Sequence, residues 1–279
     1  MKTKIIDGAK ISATIKDELK DQVAKLNEQG KNVGIAVVIV GDNPASKVYV
    51  ANKEKACHYI GIKSFSYKLP EETPQKSLLE LIDTLNSDNT VNGILVQLPL
   101  PSHIDENQVI QAIAPQKDVD GFHLQNVGAL LVGTDGFVSC TPAGIIELLK
   151  RYNIEATGKK CVVVGRSNIV GKPISMLLLR ENATVTMCHS KTADLTAELK
   201  QADIVIVAVG KPNVVTGDMI KQGAVVIDVG INRTDEGKLC GDIDFASCQG
   251  IAEYITPVPG GVGPMTIAML MKNTVKSVM

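Results

Sequence analysis

Apolar positions along this chain switch between helical spacing and unbroken runs, and the switches mark out elements. Ile11, Ile15, Leu19, Val23 and Leu26 repeat every three or four residues, which predicts a helix over 9 to 29. "VGIAVVIV" (33 to 40) follows as a solid apolar strand. Asn43-Pro44 then reads as an N-cap and first helical position, opening a helix that runs to about Tyr59 and closes at Gly61. A strand near 62 to 68, a helix opened by Thr73-Pro74, the strand "VNGILVQL" (91 to 98) and a helix from about Asp105 complete the first half. Between "APQKDVDGFH" (114 to 123) and "SCTP" (139 to 142) the pattern loosens.

The alternation then restarts. A helix from Pro142, a strand at 160 to 165, a helix from about Val170, the strand "ATVTMC", a helix from Asp194 and the strands "DIVIVAVG" and "AVVIDVG" are expected in turn. Strands this apolar, with no polar alternation, need both faces covered, as in a parallel sheet between helix layers. The expected fold is α/β: two α/β domains with a cleft between them, the second a doubly wound, Rossmann-like sheet. The boundary falls near Asp118, giving a first domain over 1–118 and a second over 119–263.

Composition narrows the class. The 279 residues suit about two domains of ~150 residues each, and 44% hydrophobic content is enough for a substantial core. A net charge of −1, no Trp and 3% aromatic residues argue against nucleic acid as a partner. No apolar run reaches a membrane span and "MKTKIIDGAK" has no signal-peptide core, so a cytoplasmic protein is expected. The six cysteines are scattered without a C-x-x-C, consistent with free buried thiols. His58, His103, His123 and His189 show no ligand spacing, so no metal is expected.

The stretch "VVVGRSNIVGKP" (162 to 173) nearly fits two phosphate-binding templates and meets neither. A P-loop needs four residues between its glycine and Gly-Lys-Ser/Thr; here there are five, and Pro173 replaces the hydroxyl. A dinucleotide fingerprint needs a glycine where Ser167 stands, and its last glycine falls one residue late, at Gly171. Context favours a dinucleotide, because Gly165 ends a core strand where open α/β sheets receive ligands. An ordinary strand-to-helix turn reads equally well from the loop alone. The next strand ends in "CHSKT" (188 to 192), with no carboxylate before Asp194 to take a ribose 2′-hydroxyl. Ser190, Lys191 and Arg166 instead suit a 2′-phosphate, which favours NADP over NAD.

Facing such a cofactor, Ser46, Tyr49 and Lys53 stand at i, i+3, i+7 on the helix after the first apolar strand. An amine beside a phenol can do acid or base work, but on spacing alone "NKEKA" reads first as a solvated helix face. Gln97 can hydrogen-bond a lysine or a substrate, or simply satisfy a strand end. Asp120-Gly121 is either a turn or a carboxylate that accepts two parallel N–H bonds from a heterocycle. "TPVPGGVGPMT" (256 to 266) allows close backbone approach to a flat ligand, or forms a stiff turn between domains.

Taken together, "YVANK", "VQLPLP", "KDVDGFH", "CTP", "GRSNIVGKP", "CHSKT", "DVGIN" and "PVPGGVGPMT" resemble, in order along nearly the whole chain, the bifunctional methylenetetrahydrofolate dehydrogenase/methenyltetrahydrofolate cyclohydrolase family. The resemblance implies that 5,10-methylenetetrahydrofolate gives hydride to NADP+, and that the methenyl cation is hydrolysed to 10-formyltetrahydrofolate. It implies Lys53 as the acid/base, Tyr49 and Gln97 positioning it and the folate, and Asp120 holding the pterin edge. Val96, Leu98, Pro259, Gly260, Gly261, Val262 and Gly263 line the folate pocket on this reading. Gly165, Arg166, Ser167, Ser190 and Ile231 bind NADP. A cytosolic homodimer and a last helix (264–279) returning to the first domain are implied as well. The hydrolytic step demands a lysine able to shed its proton near neutral pH, with Gln97 and burial under the folate as the expected cause. A shikimate-dehydrogenase-like enzyme and a non-catalytic NADP-sensing module remain the alternatives.

Overall fold

A computed structural model describes residues 2–234 and 236–279. Its strands are β1 (Lys4–Ile5), β2 (Gly34–Val40), β3 (Lys63–Leu69), β4 (Gly93–Val96), β5 (Lys160–Val164), β6 (Thr184–Cys188), β7 (Ile204–Val207), β8 (Val225–Asp228), β9 (Asn232–Arg233), β10 (Leu239–Cys240) and β11 (Tyr254–Ile255). Its helices are α1 (Gly8–Glu28), α2 (Pro44–Ile60), α3 (Gln75–Ser87), α4 (Glu106–Ala112), α5 (Leu124–Val132), α6 (Cys140–Arg151), α7 (Gly171–Arg180), α8 (Leu195–Leu199), α9 (Phe245–Cys248) and α10 (Val262–Lys276), with a 3-10 turn at Gly217–Met219. Contacts divide the chain into two compact units: the segment through Ser12 with Thr141–Thr266, and Ala13–Cys140 with Ile267–Met279.

The unit holding Ala13–Cys140 is built on a parallel sheet of order β3-β2-β4. All seven residues of β2 are buried, as its unbroken apolar run requires. On one face Ala36, Val38, Ile94 and Val96 pack with Leu78, Ile82 and Leu85 of α3 and Val109 of α4. Ile82 is fully buried there, so Ile82→Ala should cost about 2–5 kcal/mol in urea unfolding. A loss under ~1 kcal/mol would show that α3 is held by something other than this contact. Beyond β4 the sheet continues as a single parallel bridge from Ile94 to Asp118, with Ile94 N donating to Lys117 O at 2.7 Å. That bridge brings the "DVDG" segment to the sheet.

The other unit carries a parallel sheet of order β1-β11-β8-β7-β5-β6, whose central strands β7 and β8 are buried throughout. From β5 the chain goes to β6 on one side and then to β7 on the other, the doubly wound arrangement expected of this half. Its edge departs from the linear division of the sequence, because residues 4–5 pair with Tyr254 and Ile255. Lys4 N donates to Glu253 O and Ile6 N to Ile255 O, both at 2.8 Å.

The loosened region also differs from the sequence reading, since Leu124–Val132 forms α5. His123 caps it through its ring, Nδ1 accepting from Gln125 N. Leu124, Leu131 and Val132 are exposed on α5, so its apolar positions do not trace a buried face. No helix among the described residues is long and apolar enough to cross a membrane.

Candidate active site

The helix α2 starts where its caps dictate. Asn43 accepts from Ala45 N and Ser46 N, Pro44 takes the first helical position, and Gly61 closes the helix in the left-handed region at φ 89°. The fixed start sets which side chains turn inward: Ser46, Val50, Lys53, Ala56, Cys57 and Ile60. Lys53 therefore lies on the packed face, 9% exposed, and the reading of "NKEKA" as a solvated surface fails for this residue. Its neighbours Asn52 and Lys55 are exposed and keep the charged sequence around it in water.

Burying an ammonium needs a partner. Lys53 Nζ donates to Gln97 Oε1 at 2.9 Å. Gln97 is itself oriented from both ends: its N–H extends the sheet to Val38 O at 2.8 Å, and its Nε2 donates to Leu98 O at 2.7 Å. With the amide nitrogen so engaged, the oxygen points at the lysine. Val96 is buried, Leu98 is half-buried, and a cis peptide joins Leu98 to Pro99. Tyr49 lies one turn before Lys53 and is 39% exposed.

Asp120 is the third member. Burial pushes its carboxyl up to about 6, the Lys53 ammonium opposing that rise and the Asp118 carboxylate adding to it. The segment bearing Asp120 is tied down by groups that the sequence did not single out. Asp118, 1% exposed, accepts from His123 N and Asn126 Nδ2, both at 2.8 Å. From α10, Asn273 Nδ2 donates to Val119 O at 2.9 Å and to Val138 O at 3.0 Å, bridging the two chain segments beside Asp120. The Cys140 thiol donates to Val119 O at 3.4 Å and approaches Asp120 Oδ1 at 4.0 Å. Burial and the nearby negative charges of Asp120 and Asp118 raise that thiol well above its usual range, so it is a donor. The two aspartates two residues apart in "DVDG" are the only sequence sign of this arrangement; the partners come from far along the chain.

In the other unit the residues fit a dinucleotide. Gly165 adopts φ 130°, and a Cβ there would lie 2.2 Å from Ala208 O, so the loop after β5 packs bare backbone against the loop after β7. Ser167 Oγ accepts from Val170 N and Gly171 N at 3.1 and 3.2 Å. These first N–H groups of α7 are thus engaged by the chain, and what Ser167 keeps for a ligand is its O–H proton. Arg166 and Ser190 are exposed, each two residues beyond the paired strand ends Val164 and Cys188. Ile231 is 47% exposed, its Cδ1 at contact distance from where a Cβ on Gly263 would stand, 3.5 Å. The loop from Pro259 to Gly263 is anchored by Ala9 N donating to Gly260 O at 2.8 Å and Ser12 Oγ to Pro264 O at 2.9 Å. Within it the Val262 side chain is buried, while Pro259 is exposed.

Comparison with known proteins gives the same result for both units. Residues 6–120 match the tetrahydrofolate dehydrogenase/cyclohydrolase catalytic domain, and residues 139–279 match the NAD(P)-binding domain of that family. A bifunctional protein FolD from Agathobacter rectalis is 63% identical over 273 residues, 98% of each chain. The crystal structure of the bifunctional FolD enzyme from Campylobacter jejuni superposes with a TM-score of 0.98 at 53% identity, covering 99% of this chain and 98% of that one. The FolD of Trypanosoma brucei, solved with NADP cofactor and an inhibitor, gives 0.95 at 39% identity, covering 100% and 98%. Neither the shikimate-dehydrogenase-like reading nor the sensing module is favoured by these matches. With both domain descriptions satisfied and relatives this similar along its whole length, the chain belongs to the tetrahydrofolate dehydrogenase/cyclohydrolase family.

Proposed function

We propose that Lys53, Gln97, Tyr49 and Asp120 are the reacting site at which this NADP-dependent methylenetetrahydrofolate dehydrogenase and methenyltetrahydrofolate cyclohydrolase works. The buried Lys53–Gln97 hydrogen bond beside Asp120 is the observation that carries the reading. The unit bearing Lys53 is the catalytic one, and the doubly wound unit holds NADP through Gly165, Arg166, Ser167, Ser190 and Ile231.

NADP, when bound, accepts the hydride. The folate carbon that loses it is flanked by two nitrogens whose lone pairs stabilise the cation, so the chain's task in this step is orientation. Asp120 accepts N–H bonds from the pterin edge, Tyr49 offers its exposed side chain as a contact surface, and Val96 and Leu98 line the pocket. In the hydrolytic step a water oxygen bonds to the methenyl carbon and releases a proton to Lys53 acting as the neutral amine. The carbon–nitrogen bond of the ring then breaks, the departing nitrogen is protonated, and 10-formyltetrahydrofolate and one proton leave. Gln97 Oε1 keeps the amine aimed through this exchange.

Adding 5,10-methylenetetrahydrofolate and NADP+ should produce NADPH absorbance, and no signal from folded protein removes the reading. Within it, Arg166→Ala should raise KM for NADP+ by about tenfold or more while changing KM for NAD+ little, since a lost charge-assisted bond to a 2′-phosphate is worth that much. Equal effects on both dinucleotides would remove Arg166 from the phosphate site. The same family membership extends the proposal to a cytoplasmic homodimer without nucleic-acid or membrane partners, supported by the net charge of −1.

A further inference from the structure

The loop after β7 points three successive backbone N–H groups at a carboxylate of the chain itself. Val209 N and Gly210 N donate to Asp242 Oδ2 at 2.7 and 2.9 Å, and Lys211 N donates to Oδ1 at 2.9 Å. Asn232 Nδ2 completes the set on Oδ1 at 2.8 Å. With Gly210 at φ 67°, the loop is a concave nest of the kind that binds phosphates in other folds. Here Asp242, 0% exposed, fills it, and both of its oxygens act as acceptors.

A second carboxylate backs the first. Asp242 N donates to Asp228 Oδ1 at 2.9 Å, and Asp228 also receives Gly230 N and Ile243 N, each at 3.0 Å. A Cβ on Gly230 would lie 2.2 Å from Asp242 Oδ1, so the carboxylate packs on bare backbone there. "DVGIN" and the "GDID" that follows β10 are thus two halves of one clamp.

The clamp stands at the point where ligands enter a doubly wound sheet. Strand order reverses at β5, with β6 on one side and β7 on the other, so the crevice opens at the carboxyl ends of β5 and β7. One of its walls is the loop that Asp242 holds, packed through Ala208 against Gly165. Arg166 and Ser190 mark the β5–β6 side for the 2′-phosphate, which leaves the β7–β8 side to the nicotinamide half.

We propose that Asp242 is a positioning residue for the dinucleotide: occupying the nest, it fixes residues 209–211 and 231–232 in the shape that receives the nicotinamide half. The proposal rests on the siting of NADP given above. Without the carboxylate, three backbone N–H groups of the exposed residues 209–211 lose the acceptor that holds them together, and the loop rearranges as each turns to water. Hydrolysis uses Lys53 and Gln97 and consumes no dinucleotide, so it is spared.

The test compares wild type, Asp242→Asn and Asp242→Ala. NADP+ binding is read by calorimetry, cyclohydrolase by loss of methenyl absorbance, and folding by circular dichroism and thermal melting. NADP+ should bind about tenfold or more weakly in Asp242→Asn while cyclohydrolase kcat stays within about twofold of wild type. In Asp242→Ala, added formate should recover part of the NADP+ affinity by refilling the nest. Unchanged NADP+ affinity in a folded Asp242→Asn overturns the proposal, as does a parallel loss of both activities in protein that melts as wild type does. Arg166→Ala judges the siting separately: if it leaves NADP+ affinity untouched, the siting fails and the nest is not the cause.

Discussion

Lys53→Met should abolish hydrolysis, lowering cyclohydrolase kcat by about a thousandfold or more, the scale of a lost general acid–base group. Methionine keeps most of the stem's volume, so the packed face of α2 with Val50, Ala56 and Cys57 is retained. What disappears is the amine we propose as acceptor of the proton from attacking water, together with the 2.9 Å bond to Gln97 Oε1. The dehydrogenase loses less, because hydride departure from a carbon between two nitrogens requires no strong base. The ratio of the two activities is therefore the measurement. A Lys53→Met protein that hydrolyses methenyltetrahydrofolate at the wild-type rate refutes the assignment.

Asp120→Asn should act in opposite directions on stability and on folate binding. In the folded protein the carboxyl is raised from the ordinary 3.8 to about 6, so the native state holds this proton more tightly than the unfolded chain does. The stability it confers is complete below pH 3.8 and is lost as pH rises through about 6. The loss is about 3 kcal/mol, taking two units at 1.36 kcal/mol each. An asparagine of the same shape carries no such charge. Urea unfolding should find the variant more stable by up to about 3 kcal/mol at pH 8 and nearly equal to wild type at pH 3.5. Its KM for methylenetetrahydrofolate should meanwhile rise by about tenfold to a hundredfold, through loss of a charge-assisted acceptor for the pterin edge. Pterin N–H groups favour the ionised form, so wild-type KM should fall as pH rises through about 6 and the variant's should not. A variant less stable than wild type at pH 8, with KM unchanged, sinks both halves of this argument.

The contrast between Lys53 and Asp120 shows how far sequence alone carries the site. The strands were legible because buried parallel strands have no polar face to interrupt them, and α2 because Asn43, Pro44 and Gly61 state both of its ends. Lys53 was misread on spacing because exposed Asn52 and Lys55 flank it; only the helix phase, set at Asn43, turns it inward. α5 was missed for a related reason, since exposed Leu124, Leu131 and Val132 leave no apolar period to follow. Asp118, Asn126 and Asn273 were invisible for a third: their work is hydrogen bonding across 8 to 154 residues, and such pairings leave no local pattern. Two-residue strands such as β1 and β11 are too short to show any period.

That pairing of β1 with β11 places a constraint on synthesis. Residues 4–5 hold one rim of the six-stranded sheet, and their partners Tyr254 and Ile255 follow 250 positions later in the chain. Until then β2 can already be zipped to β3 and β4 nearby, while the N-terminal segment waits without its seat. That sheet gains its edge strand only when β11, made long after β1, is available to pair with it.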